Sequence, residues 1–313
     1  MAYVIPKENF SGKVLEMTLG AGDKAAVVGG GSALPFHSFE GEGSTRPLIA
    51  LEIQDVPPSD WPDEVKKQYS SVSDDPAGWA KYCQNDLGAK AVALRLVGTH
   101  PDRENRSVED AVGTVKAVLD AVDVPLIILG SNHVEKDSQV LVAAAEAASG
   151  KNCVIGKAQE ANYKTIVAAA LANNHKLIAM SELDINLAKQ LNILIGQMGF
   201  SSDRVLTDPM CSALGYGLEY TYSVMERIRL AALAQNDTTM QPPIVGDVGM
   251  YVWKIKEVMA PETDLPEWGA IEERGIAWES ITATSLMVAG VNLLIMRHPK
   301  AVEGVNKTLD ELT

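Results

Sequence analysis

The sequence is short of cysteine, of positive charge and of long apolar runs, and each shortage removes a class of function. Its three cysteines, Cys83, Cys153 and Cys211, stand far apart with no CxxC pair. This chain alone therefore builds no disulfide framework, zinc ribbon or iron–sulfur cluster, and each thiol reads as a small buried hydrophobe. Lysine and arginine number 27 against 41 aspartates and glutamates, a formal net charge of −14. Affinity for nucleic-acid phosphates rests on cations, so no nucleic-acid partner is expected, and no anionic membrane. No apolar stretch reaches the roughly 18 residues of a membrane span, and the start, MAYVIPKENFSGK, lacks a basic-then-apolar signal pattern. A cytoplasmic location is expected. Sharp catalytic strings are missing too: there is no HExxH, no Walker lysine and no serine elbow. No metal ligand set and no catalytic residue is assigned.

What is present is a rhythm. The chain has 313 residues, 46% of them hydrophobic, and a mean hydropathy of +0.01, the composition of a soluble globular protein with a large core. Residues 13–30 hold two apolar runs around Gly20-Ala21-Gly22-Asp23. A dinucleotide fingerprint needs a helix after its glycines, and here another strand follows, so the stretch reads as a β-hairpin. Beyond it, apolar strands are predicted at 48–55, 91–97, 125–130, 152–156, 176–180, 205–207, 243–247 and 291–296. Helices are predicted between them at 76–87, from Ser107 onward, 137–148, 161–172, 184–198, after Gly217, 251–259 with 271–289, and 301–312. Eight strands alternating with helices specify an α/β fold, a (β/α)8 TIM barrel with an N-terminal β-hairpin. A doubly wound open sheet is the runner-up. Residues 1–46 form the hairpin and a loop packed on the barrel, and 47–313 the barrel, in one domain overall.

Several local expectations follow. If Ile49, Leu51 and Ile53 face the helices, Ala50, Glu52 and Gln54 face the lumen; in the next strand Ala93 and Arg95 do the same. A closed barrel then brings Glu52 and Arg95 together as a buried ion pair. Ser107-x-x-Asp110 resembles a capping box. Leu187, Leu191, Leu194 and Met198 share one helix face, as do Tyr220, Val224, Ile228 and Ala231. His37, between Phe36 and Phe39, reads as packed. Trp278 reads as core, whereas Trp253 and Trp268 divide evenly between packing and a partner or cofactor surface.

In a barrel of this type chemistry sits at the C-terminal strand ends. Those ends carry Gln54, Asp55, His100, Ser131, Asn132, His133, Lys157, Ser181, Asp184, Asp208, Asp247, Arg297 and His298. Asp208 and Asp247 serve equally well as a carboxylate pair, as a grip on a pterin edge, or as caps of the turns that follow.

Four strings together, PFHSFEGE at 35–42, DINLAKQLNILI at 184–195, GYGLEY at 215–220 and MRHP at 296–299, resemble one family over essentially the full length. It is that of the small subunit of the corrinoid iron–sulfur protein, equivalent to the delta subunit of the acetyl-CoA decarbonylase/synthase complex. The resemblance implies a non-catalytic subunit of a heterodimeric methyl carrier in the reductive acetyl-CoA pathway. Its large subunit holds cobalamin and a [4Fe-4S] cluster. The methyl group arrives from methyltetrahydrofolate through a methyltransferase and leaves to acetyl-CoA synthase, and the small subunit's barrel mouth helps cover the corrin. The residues agree in lacking both cluster cysteines and an Asp-x-His-x-x-Gly cobalt-ligand string. Strand-end position makes Asn132, Asp208, Gly215, Tyr216, Gly217, Asp247, Met250, Arg297 and His298 the candidates to face the corrinoid. The alternative is a pterin-binding methyltetrahydrofolate methyltransferase in which Asp208, Asp247 and Asn132 grip the pterin.

Overall fold

The computed structural model describes residues 3, 4 and 6–312. Two strands, β1 (Glu16–Leu19) and β2 (Ala26–Gly29), pair antiparallel with Leu19 opposite Ala26. Gly20 and Gly22 in the turn have φ of +73° and +72°, a backbone that glycine adopts freely. The Gly-Ala-Gly segment is thus a hairpin turn. Alternation buries Met17, Leu19 and Val28, which pack upward into the barrel lumen.

The barrel strands are β3 (Leu48–Gln54), β4 (Ala91–Arg95), β5 (Leu126–Leu129), β6 (Val154–Ala158), β7 (Lys176–Met180), β8 (Val205–Asp208), β9 (Ile244–Asp247) and β10 (Val291–Met296). They pair in parallel in chain order and close through β10 and β3, which excludes the open sheet. Around them lie α1 (Asp63–Lys66), α2 (Pro76–Asn85), α3 (Val108–Ala121), α4 (Val134–Ala147), α5 (Tyr163–Ala172), α6 (Ile185–Gln197), α7 (Leu218–Leu233), α8 (Val248–Val252), α9 (Lys256–Met259), α10 (Ile271–Val288) and α11 (Pro299–Leu312). Ile49, Leu51, Ile53, Val92 and Leu94 meet the helices. Ala50, Ala93, Ile127, Leu129, Val154, Ile178, Leu206, Val245, Leu293 and Ile295 fill the lumen. A parallel sheet covered on both faces reads as continuous apolar runs for this reason.

The Ser107 capping box is formed: Asp110 N donates to Ser107 Oγ at 3.0 Å and Ser107 N to Asp110 Oδ2 at 3.2 Å. All three cysteines are buried. Other expectations need correction. α4 begins at Val134, before Asp137, because the Asp137 carboxylate turns back to accept Ser131 N, Ser131 Oγ and Asn132 N at 2.8–2.9 Å. The helix expected at 251–259 is two short ones, α8 and α9. Trp253 lies between them, drawn into the core at 2% exposure by Glu279, which accepts its Nε1–H at 2.9 Å. His37 stacks on Phe39 at 5.3 Å yet stays exposed.

Two expected helix faces hold except at their first residue: Leu191 is buried with Leu194 and Met198 half-buried against the core, and Val224, Ile228 and Ala231 are buried. α6 buries Ala188, Leu191, Asn192 and Ile195 and leaves Leu187 42% exposed; α7 buries Thr221 and leaves Tyr220 66% exposed. Each inward polar residue has a partner. Asn192 donates to Thr207 Oγ1 and Thr239 O, and the Thr221 hydroxyl accepts Ser212 N. A hydrogen-bonded polar group can occupy a core position that hydropathy assigns to leucine or tyrosine, although Asn192 Oδ1 is left without a partner.

Candidate functional site

The strand alternation that fills the lower lumen with aliphatic side chains delivers Glu52 and Arg95 to its upper end. Arg95 Nε and Nη2 lie 3.0 and 3.3 Å from Glu52, so the expected pair exists. It is part of a larger array. Arg95 Nη2 also reaches both oxygens of Asp247 at 2.9 and 2.8 Å. Lys157 Nζ bridges Asp247 (2.8 Å) and Asp208 (2.9 Å), and Arg297 approaches Glu52 at 3.0 and 3.2 Å. Three carboxylates thus face three cations, none more than 5% exposed. Burial opposes ionisation of Glu52, but Arg297 and Arg95 outweigh it and hold its pKa below the ordinary value. Asp247 is likewise depressed, burial being overcome by Arg95 and Lys157. The attraction of Asp208 and Asp247 in turn overcomes burial and raises Lys157. Glu52, Asp247, Arg95 and Lys157 are thus held charged, and the layer sets three carboxylates against three cations.

Above it opens a cavity of about 360 Å³ walled by Gln54, Arg95, Asn132, Met250, Lys254 and Arg297 among others. Asn132 adopts φ +70°, its backbone N–H held by Asp137, and its amide meets Met250 Sδ at 3.8 Å. Arg297 is fixed by Tyr69, whose hydroxyl donates to its carbonyl at 2.6 Å, and by the Trp61 ring 4.7 Å below its guanidinium. Two buried polar atoms here lack hydrogen-bond partners: Gln54 Oε1 and Arg95 Nη1. They belong to register-paired residues of β3 and β4. Lys254 has no ion pair among the described residues. Burial and then Arg297 lower its pKa.

The structure therefore brings Asp208, Asp247 and Arg297 into the ionic layer and Asn132 and Met250 into the wall above it. Asp208 also caps its own turn, Oδ1 accepting Met210 N at 2.9 Å; Asp247 caps nothing and serves the network. The remaining candidates lie elsewhere. His298 is fully buried, stacked on Trp253 at 5.6 Å with Nε2 3.6 Å from Glu272, and burial lowers its pKa to about 4. Gly215, Tyr216 and Gly217 form the entry to α7, where Gly217 is the left-handed N-cap and Tyr216 bonds to Glu257. None of these four lines the cavity. Lys157, Lys254 and Gln54 were not among the candidates. Two stood at strand ends, and Lys254 offered no signal in a segment read as helix. Among the described residues, no group of three His, Cys, Asp or Glu side chains is placed to hold a metal ion. None of their helices is long and apolar enough to cross a membrane.

One outer face is unusual for so acidic a chain. Of the charged residues of α10, Arg274 and Glu279 are buried and Glu272 and Glu273 sit in the first turn. From Gly275 to Val288 the helix presents Ala277, Ile281, Thr284, Ser285 and Val288 outward, with no charge, while Trp278, read as core, is half-buried against the core with Nε1 donating to Leu214 O. Trp268, 47% exposed, stacks on Trp278 at 5.6 Å and extends this surface, whereas Trp253 does not contribute.

Fold and site define a (β/α)8 barrel whose mouth has a floor of mutually neutralised charges and whose flank carries an uncharged helix face. Residues 16–303 match the family model described as CO dehydrogenase/acetyl-CoA synthase delta subunit, and the chain belongs to that family. It is 37% identical to acetyl-CoA decarbonylase/synthase complex subunit delta 1 of Methanosarcina thermophila over 90% of this chain. It is 34% identical to the delta subunits of Methanothermobacter thermautotrophicus and Archaeoglobus fulgidus over 95% and 98% of its length. The chain spans 65% of the length of the Methanosarcina relative and 75% and 70% of the other two. Among solved structures, Xanthomonas albilineans dihydropteroate synthase aligns with a TM-score of 0.59 at 13% identity, covering 95% of this chain and 97% of that one. The Coxiella burnetii enzyme gives 0.58 at 12%. Such likeness establishes the shared barrel fold.

Proposed function

We propose that this chain is the barrel subunit of a corrinoid methyl carrier in the acetyl-CoA pathway. It pairs with a large subunit bearing cobalamin and a [4Fe-4S] cluster, and the carrier is loaded from methyltetrahydrofolate by a methyltransferase and unloaded at acetyl-CoA synthase. The observation that carries the reading is the neutralised floor. Glu52, Asp208 and Asp247 are each engaged by a cation, so none is left to act as an acid, a base or a pterin grip. Such a mouth suits a cover better than a catalytic pocket. Gln54 Oε1 and Arg95 Nη1, an acceptor and a donor without partners, match the amide groups that fringe a corrin ring. Cobalamin would supply the methyl-bearing cobalt. This chain's part is to exclude water from that face with Met250, Asn132 and the rigid ionic layer beneath them. The uncharged α10 face has the composition of an interface core and is assigned to the large subunit.

The test is co-expression with the candidate large subunit, reading particle size and visible spectrum. A colourless chain alone and a coloured one-to-one complex are expected. Ile281→Glu in α10, exposed in the isolated chain, should abolish the complex and leave the chain folded. Methyltetrahydrofolate binding and cobalamin methylation by the isolated chain would replace this reading with the methyltransferase one.

A further inference from the structure

At the opposite end of the barrel, below the starts of β3 and β10, lies a second cavity of about 210 Å³. Its walls include Val14, Phe36, Met287 and Val291, and its polar lining includes Arg229 and Asn292. Arg229, 2% exposed, donates from Nε and Nη2 to Gly290 O at 3.0 and 2.7 Å, and from Nη2 to Asn292 Oδ1. Its Nη1 makes a single long bond, 3.5 Å to Pro242 O. Every acceptor is a neutral carbonyl. The upper layer's buried arginines face carboxylates, but this one has none, and no acidic side chain lines the cavity. Burial lowers its pKa to about 9.

The C-terminal end of α10, at Gly290, offers the guanidinium some negative potential. It leaves a second donor unexplained. Asn292 is 3% exposed, and its Oδ1 accepts both Ile244 N (3.1 Å) and Arg229 Nη2. Those two donors fix which end of the amide is oxygen. Nδ2 is therefore a donor, and among the described residues it has no partner. At the rim stands Arg46, paired with Asp310 at 2.6 Å.

We infer that this cavity binds a small carboxylate with an apolar body. The carboxylate accepts from Asn292 Nδ2 and neutralises Arg229, while Phe36, Val14 and Met287 hold the body. The site lies at the far end of the lumen from the mouth, so it stands or falls independently of the corrinoid reading.

The experiment is titration of the full chain with benzoate, against inorganic phosphate and sodium chloride at matched ionic strength. Melting temperature and ¹³C-methyl methionine spectra are read, with Met287 assigned through Met287→Leu. Benzoate should raise the melting temperature saturably and shift the Met287 resonance. Arg46→Ala, which removes a rim charge together with its bonds to Asp310 and Asn306, should weaken it about threefold, and Arg229→Gln should abolish binding. Phosphate saturating as well as benzoate would overturn the apolar-bodied class. Benzoate acting no differently from chloride, or leaving Met287 unmoved, would overturn the site and leave Arg229 a clamp on α10. Should Arg229→Gln not fold, Met287 and Arg46→Ala decide.

Discussion

Along β3 the lumen positions run Leu48, Ala50, Glu52 and Gln54, and along β4 Ala91, Ala93 and Arg95. Each strand enters the barrel apolar and leaves it polar or ionic. The lower half is filled by volume alone, and any aliphatic set of the right size would serve. The upper half removes six charges from water, and their mutual attraction mainly offsets that desolvation. A barrel built for stability alone would carry valine and isoleucine to its rim, because replacing a buried ion network by packed apolar groups is often neutral or stabilising. What the upper half provides instead is a rigid, neutral, polar floor beneath the mouth.

The strongest test of that division uses register-paired neighbours in the lumen, Asp247 of β9 and Ile295 of β10. Asp247→Asn leaves Arg95 and Lys157 under-compensated in a buried site and should lower stability by about 3–5 kcal/mol. Ile295→Val removes one methylene from an apolar lumen side chain beside that layer and should lower it by about 1 kcal/mol. Urea denaturation of the two variants measures both. Equal losses would mean that the ionic layer is not energetically distinct.

The part of this layer that follows strict alternation was legible in the sequence. Glu52 and Arg95 occupy lumen positions of regular adjacent strands, and they meet as the period of two requires. Lys157 escaped because β6 is irregular between Ile155 and Ala158. There Gly156 faces the lumen against Ile178, so unbroken alternation would have sent Lys157 outward. Arg297 was placed at a strand end, but its pairing with Glu52 joins the last strand to the first, a closure that no local pattern carries. Trp253 shows the same limit: its burial depends on Glu279, 26 residues away.

Glu52 and Glu279 sharpen the contrast further. Both are fully buried carboxylates, and their neighbours give them opposite pH dependence. Glu52, beside two guanidiniums, has a lowered pKa, so its contribution is present above its unfolded value and lost as pH falls. Glu279 accepts N–H groups of Arg297, Trp253 and His298, yet burial outweighs them and raises it from 4.5 to about 7. Its contribution is therefore full below pH 4.5 and lost as pH rises to 7. His298, lowered from 6.5 to about 4, gains stability over nearly the same range and masks that loss. Glu279→Gln removes one side of the balance. Between pH 4.5 and 7.5 the wild-type protein should lose about 3 kcal/mol relative to the variant, read by denaturation at both pH values. Parallel profiles would mean that Glu279 is ionised throughout.

The smallest expected effect lies at Gln54, which shares the upper half with Asp247 but not its role. Oε1 is buried without a partner, and no hydrogen bond engages the rest of its amide among the described residues. An unpaired buried acceptor is a net penalty, and an apolar group of similar shape removes it. Gln54→Met should therefore leave stability within about 0.5 kcal/mol of wild type or raise it slightly, in the same urea series as Asp247→Asn. A loss above about 1.5 kcal/mol would show that Gln54 has a partner in the isolated protein, such as an ordered water bridging it to Arg95 Nη1. The upper layer and the cavity above it would then act as one hydrogen-bonded unit. A neutral result separates them: the ionic layer supports the barrel, and Gln54 contributes nothing to its stability.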